Sequence, residues 1–167
     1  MKKISVSLLL FLCIQIHHVE AITTDLGKIY LEGGEYTEVN EAIQECEAFL
    51  KRDIALPTRL PPIAFTHVFG SFDPKHVPQL SIYYLVENAG RTHYTLNIVD
   101  NVYERSFPKD AKTVKLPDGN EMVYYKRSDF VHFNIVKNDF QYTFTVDKVS
   151  ADTITVDGMV KIINSMR

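Results

Sequence analysis

Between Phe130 and Val146 the chain reads FVHFNIVKNDFQYTFTV, and side-chain character alternates residue by residue. Phe140, Tyr142, Phe144 and Val146 share one face of an extended chain, with Gln141, Thr143, Thr145 and Asp147 on the other. Upstream, Val131, Phe133 and Ile135 alternate with His132 and Asn134. A period of two belongs to a strand whose faces meet different surroundings, and a helix cannot satisfy it. The polar Lys137-Asn138-Asp139 between the runs predicts a hairpin turn. A two-stranded hairpin does not stand alone in water, so more strands or a covering helix must supply its buried face.

The start of the chain sets the compartment. Met1-Lys2-Lys3 is positive, Ile4 to Ile16 is mostly apolar, and the chain then turns polar up to the small residue Ala21. That is the layout of a secretory signal peptide over residues 1–21. The apolar run is too short to span a bilayer, which takes about 20 residues. Leu12 before Cys13 is too large for a lipid-attachment box. Loss of residues 1–21 removes two lysines and one glutamate, so the net charge of −3 becomes more acidic. Cys13 leaves as well, and Cys46 remains with no partner for an intramolecular disulfide. A mildly acidic chain without a basic run argues against nucleic acid as a partner. The expected location is secreted or cell-envelope associated, with no membrane-spanning segment after cleavage.

Residues 22–34 carry Gly27, Gly33 and Gly34 without periodicity and read as a flexible lead-in. From Glu35 to Asp53, Val39, Ala42, Ile43, Cys46, Phe49 and Leu50 recur at steps of three and four, the stripe of an amphipathic helix. Thr37 is the candidate N-cap. Glu38, Glu41 and Glu45 line its polar edge and read as a solvated face. Ala55 to Pro62 (ALPTRLPP) ends the helix as a rigid connector. Strands are expected over Ile63–Phe72, Leu80–Val86 and Thr92–Val99, with a turn at Asn88-Ala89-Gly90. Lys112–Leu116 and Glu121–Lys126 flank Pro117-Asp118-Gly119-Asn120, a hairpin turn in which proline presets one φ and glycine allows the left-handed one. A second amphipathic helix is expected over Thr155–Met166, capped by Thr155. The sum over residues 35–167 is a single α+β domain: one curved antiparallel sheet with an N-terminal and a C-terminal amphipathic helix packed on it.

Chemistry-bearing residues are present without a recognisable constellation. His67, His76, His93 and His132 lack any short two-ligand spacing, so no metal and no cofactor is expected. Asp100 and Glu104 are candidate paired acids that the sequence alone does not place together. Cys46 lies on the apolar stripe and reads as a small buried hydrophobe. There is no Gly-x-Ser-x-Gly elbow and no phosphate-binding glycine loop. No catalytic residue is therefore assigned. Aromatics are the richest feature. The adjacent pairs Tyr83-Tyr84 and Tyr124-Tyr125 must place one ring on each face of the sheet.

The Leu56–Pro61 connector, Gln79-Leu80-Ser81-Ile82-Tyr83-Tyr84, the Lys115–Gly119 turn, Phe133-Asn134-Ile135 with Tyr142-Thr143-Phe144, and Ile162–Met166 occur in that order. The pattern resembles an uncharacterised extracytoplasmic domain family of Gram-positive bacteria, found in anti-sigma-factor-like and sporulation-associated proteins. It covers residues 55–167 in hydrophobic and turn patterns. The resemblance implies no catalytic residues. This chain lacks that family's amino-terminal zinc-binding segment and spanning helix.

These features point to a secreted, non-enzymatic binding or interaction domain. Its ligand would be a partner protein, an envelope component or a lipid-like molecule. The alternatives are an envelope hydrolase using histidines and acids that the sequence does not pair, and a protease-inhibitor-like module. If Phe133, Ile135, Tyr142 and Phe144 form the platform for Val160 and Ile163, the binding site belongs on the other face or at an edge.

Overall fold

The computed structural model describes residues 36–86, 93–103, 105–147, 150 and 153–167. The signal segment, the lead-in, the turn at 88–90 and Glu104 lie outside the described residues, as does the side chain of His93.

Helix α1 spans Val39–Leu50, with Ala42 and Cys46 buried along its stripe. It is shorter at both ends than the 35–53 periodicity predicts. Thr37 does not cap it. Its N–H donates to the Gly70 carbonyl at 2.8 Å and its carbonyl accepts from the Gly70 N–H at 2.9 Å, so its backbone serves a sheet edge. Glu38 occupies the N-cap position without a side-chain cap. Lys51, with φ 55°, terminates the helix in the left-handed region.

Seven strands follow: β1 (His67–Asp73), β2 (Gln79–Leu85), β3 (His93–Asp100), β4 (Lys112–Lys115), β5 (Glu121–Arg127), β6 (Phe130–Lys137) and β7 (Phe140–Asp147). They form one open antiparallel sheet in the order β1-β2-β3-β7-β6-β5-β4. Two meanders, β1–β3 and β4–β7, are thus joined by the β3–β7 ladder. β1 starts later than the predicted Ile63. Ile63 N–H donates to the Pro61 carbonyl at 2.7 Å and Phe65 N–H to the Ile63 carbonyl at 3.0 Å. Tight three-residue turns of this kind consume the groups a ladder needs.

In the β6–β7 hairpin Phe133 faces Phe144 and Ile135 faces Tyr142. Lys137 belongs to β6, opposite Phe140, and the turn is only Asn138-Asp139, at φ 50° and 62°. Two successive positive φ values match the right-handed twist of the flanking strands. The Pro117–Asn120 turn closes as expected, with Gly119 at φ 88° and Leu116 N–H donating to the Asn120 carbonyl at 2.8 Å.

The second described helix, α2, spans Val156–Ile163, and the Thr155 hydroxyl accepts from the Gly158 N–H at 3.1 Å as its cap. The regular helix ends before the predicted Met166, in tighter turns in which the Ser165 and Met166 N–H groups donate to the Ile162 and Ile163 carbonyls at 3.0 and 3.1 Å. Leu56 and Arg167 instead exchange backbone hydrogen bonds of 3.1 and 3.2 Å, and Thr58 N–H donates to the Ser165 carbonyl at 3.3 Å. Proline-rich backbone is extended and cannot join a helix. The connector therefore offers its remaining groups to the chain end, and Met166 is buried opposite Pro57.

Alternation assigns the core. Leu80, Ile82, Leu96, Ile98, Tyr142 and Phe144 lie on one sheet face and are almost fully buried. Ala42 and Cys46 of α1 and Met159, Ile162 and Ile163 of α2 belong to the same buried cluster. α1 comes closest at Gly70, where a Cβ would sit 2.6 Å from that of Ala42 and 3.0 Å from Val39 Cα. Arg52, just past α1, pairs with Asp100 at the end of β3 and lies 4.5 Å from the Phe140 ring centroid.

Candidate functional site

The opposite face follows from the same register. Ser71, Ser81, Asn97, Thr143 and Asn134 stand side by side across five strands. The neighbouring row runs Phe69, Tyr83, Thr95, Thr145, His132, Tyr125. Rings thus flank a threonine floor. At about 4.8 Å per strand, Tyr83 and His132 are separated by roughly 14 Å.

This floor opens into a cleft of about 420 Å³. Tyr36, Phe69 and Tyr83 form one wall and Phe130 the other, with Gln79, Thr95, Asn97 and Thr145 between. Tyr36 meets Tyr83 edge to face at 5.1 Å, and its centroid is 6.1 Å from that of Phe69. The Thr37–Gly70 pairing anchors it: the chain runs along the β1 edge and sets the Tyr36 ring on the face away from α1. No described lining residue is charged. Beside the cleft, His132 stacks on Tyr125 at 5.0 Å, and its Nδ1 lies 3.1 Å from the Thr145 hydroxyl. Burial, and then Arg127, hold its pKa below the ordinary histidine value.

A strap closes the neighbouring part of this face. β3 lies mid-sheet and β4 at the edge, so the link after Asp100 must cross β7, β6 and β5. It crosses on this side. The Tyr103 carbonyl accepts from Gln141 Nε2, Arg105 donates to Asn134 Oδ1 at 3.2 Å and to the Thr143 hydroxyl, and Phe107 lies 6.2 Å from Tyr125. The strap explains why three polar side chains, Asn134, Gln141 and Thr143, are buried on a sheet face. Burial lowers the pKa of Arg105, and Tyr125 acts in the opposite direction. Asn134 Nδ2 and Gln141 Oε1 have no hydrogen-bond partner among the described residues. Both residues line a cavity of about 90 Å³. At about 30 Å³ per water, that space suits a few bridging waters.

Among the described residues, those singled out for chemistry do not converge. His76 is exposed on the β1–β2 loop at φ 55°, and His67 stacks on Phe69 at 5.9 Å near the β1 edge. His132 is on β6, four strand positions from β1. Asp100 is on the core-facing side, committed to Arg52. Glu38, Glu41 and Glu45 are exposed on α1. Among the described residues no group of three or more His, Cys, Asp or Glu could hold a metal ion. Cys46 is 1 % exposed, and burial, with a smaller contribution from Glu47, pushes its thiol up to about 12. Such a thiol is protonated and inert at neutral pH. No described helix is long and apolar enough to cross a membrane.

The alternation signal did place the tyrosines. Tyr84 packs against Tyr94 at 5.3 Å and Tyr124 against Phe133 at 5.8 Å on the core face, while Tyr83 and Tyr125 face the cleft side. It could not single out Tyr36, Thr95, Asn97 or Phe130 as a group. Their meeting depends on the β3–β7 ladder and the β1 edge, and no local spacing carries either. Comparison with family models, with curated proteins and with solved structures returned no match.

Proposed function

We propose that this chain is an exported, non-catalytic binding domain whose ligand sits in the cleft between Phe69 and Phe130. The observation that carries the reading is the cleft itself: about 420 Å³ of uncharged, ring-walled space on the face that the α1 stripe leaves open. That volume lies in the range of small-molecule sites, roughly 300–1,000 Å³. In this reading both helices cover the Tyr142–Phe144 face, which leaves the other face for recognition. The signal-like residues 1–21 support an extracytoplasmic setting and a ligand in the cell envelope. The separation of His67, His76, Asp100 and His132 favours binding over an acid–base hydrolase, whose groups must lie within hydrogen-bond reach of one substrate.

Cys46 makes a selective blocking test possible, because a buried protonated thiol resists alkylation. In the full chain carrying Cys13→Ser, Thr145→Cys is alkylated with a bulky maleimide, with Glu45→Cys on the exposed face of α1 as control. Sedimentation with isolated cell-envelope material should retain the control and lose the Thr145 adduct. Equal retention of both would place the ligand elsewhere. Release of soluble envelope fragments by the unmodified chain would establish the hydrolase instead.

A further inference from the structure

From the lining of this cleft we infer that its ligand is a neutral saccharide. The inference rests on the reading that the cleft is the binding site, and it goes on to the ligand's chemistry. Three observations carry it.

The first is charge. A sheet face that only meets water carries ions, as this face does at its β4–β5 edge with Lys115 and Glu121 exposed; Arg127 and Asp147 pair with Phe130 on either side and stand outside the cleft's described lining. Between Phe69 and Phe130 the described lining holds none. Among the described lining residues a phosphate or carboxylate ligand would meet no cation, and a cationic ligand no carboxylate. Either would lose hydration without compensation.

The second is the state of the polar groups. The Thr95 hydroxyl and the Asn97 carboxamide make no side-chain hydrogen bond within the described chain, although both are half-buried in the cleft. Beside them stand the Thr145 hydroxyl, paired with His132 Nδ1, and the Gln79 carboxamide, whose Nε2 donates to the Ser81 hydroxyl, and hydroxyls and carboxamides both donate and accept. A sugar hydroxyl does the same. Adjacent hydroxyls on a sugar ring can pair with neighbouring cross-strand groups, and Thr95 and Thr145 are such neighbours.

The third is the walls. Saccharide rings present C–H faces that pack on aromatic faces and edges, and Tyr83, Tyr36 and Phe130 line the cleft at opposite ends of the threonine floor. A peptide is less well served. Extended peptides bind sheets at edges, through free backbone groups. Here the floor strands β3 and β7 are paired on both sides, so a peptide would meet side chains only. A lipid tail would leave Asn97 and Thr95 unpaired beside hydrocarbon.

Amide-resolved NMR titration of the full chain tests this. The probes are neutral gluco-, manno- and N-acetylglucosamine oligosaccharides, and in parallel uncharged peptides of similar size. A saccharide should give saturable shifts at Tyr83, Thr95, Asn97 and Thr145, with little change on raising salt. Tyr83→Ala and Asn97→Ala should each weaken it by about ten-fold or more, while their far-ultraviolet circular dichroism stays that of the parent. Saturable shifts from the peptides and not the saccharides would overturn the ligand class and leave the cleft as the site. Saccharide shifts confined to residues outside the cleft would overturn both readings. No saturable shift with any saccharide would overturn the inference.

Discussion

At Gly70 the constraint is distance: the position is where α1 meets the sheet, and the space for a side chain is already taken by Ala42. Gly70→Ala should cost about 1–3 kcal/mol, as overpacking does, read as a lowered urea midpoint. Adding Ala42→Gly should restore part of that loss even though glycine inside a helix costs about 1 kcal/mol by itself. Simple additivity of the two changes would mean that α1 shifts freely over β1. Tyr94 poses the opposite case. Its ring is fully buried among Tyr84, Phe65 and Phe144, and its hydroxyl has no described partner. Tyr94→Phe should therefore leave stability unchanged or raise it by up to about 1–3 kcal/mol, the cost of an unsatisfied buried group. A clear loss would reveal a bound water on that hydroxyl. His132 gives the pH dependence. Its folded pKa lies below the ordinary 6.5, so the unfolded chain takes up the proton first as pH falls. Its contribution is complete above about 6.5 and declines below it. His132→Gln should flatten the fall in melting temperature between pH 7 and pH 5. An unchanged slope would mean that the imidazole is solvated.

At the level of elements, the two threonines read as helix caps part company. Thr155 caps α2 through its hydroxyl, so Thr155→Ala should cost about 1 kcal/mol. Thr37 works through its backbone at the β1 edge, which alanine preserves, and its hydroxyl adds a long, exposed 3.4 Å bond to the Glu38 carbonyl, so Thr37→Ala should be near neutral. Denaturant midpoints of both variants check this, and equal losses would show that the Thr37 hydroxyl also matters. The sequence pattern is the same at both sites: a small hydroxyl residue before an apolar stripe. What separates them is a strand edge far away in the sequence, and no local rule contains it. Elsewhere local rules sufficed. Alternation put Phe140, Tyr142, Phe144 and Val146 on the core side, and Pro117-Asp118-Gly119-Asn120 marked its turn. Boundaries failed where the chain makes other bonds: at Ile63, in tight turns, and at Asn164–Arg167, beside the connector.

At the scale of the molecule, the sheet's order decides what is site and what is cover. The β3–β7 ladder sets Thr95 against Thr145 and sends the strap across Asn134, Gln141 and Thr143, leaving the cleft open beside it. The sequence marks the 141, 143 and 145 positions as polar and opposite the core. It does not mark which are strapped over and which stay open, because that depends on a crossing between strands distant in sequence. The chain's far ends meet by the same kind of contact. The segment before β1 is held by the residues after α2: two reciprocal Leu56–Arg167 bonds, Thr58 on the Ser165 carbonyl, the Arg59 N–H on the Ser165 hydroxyl at 3.1 Å, and buried Met166. Deleting residues 164–167 removes all of these, together with the Asn164, Ser165 and Met166 N–H bonds to the Val160, Ile162 and Ile163 carbonyls that close the end of α2. Loss of the buried methionine alone should cost about 2–5 kcal/mol. The backbone loss has a separate signature, because Arg59 is exposed while its N–H and the preceding Thr58 are both tied to Ser165. Trypsin under native conditions should cut after Arg59 faster in the truncated chain than in Met166→Ala, which loses the side chain and keeps the backbone pairing. Matched cleavage rates for the two variants would mean that the prolines alone hold the connector and the pairing adds nothing. A faster cut in the truncated chain at equal global stability would show local opening of the connector, since cleavage then follows the population of that opening and not of the unfolded state.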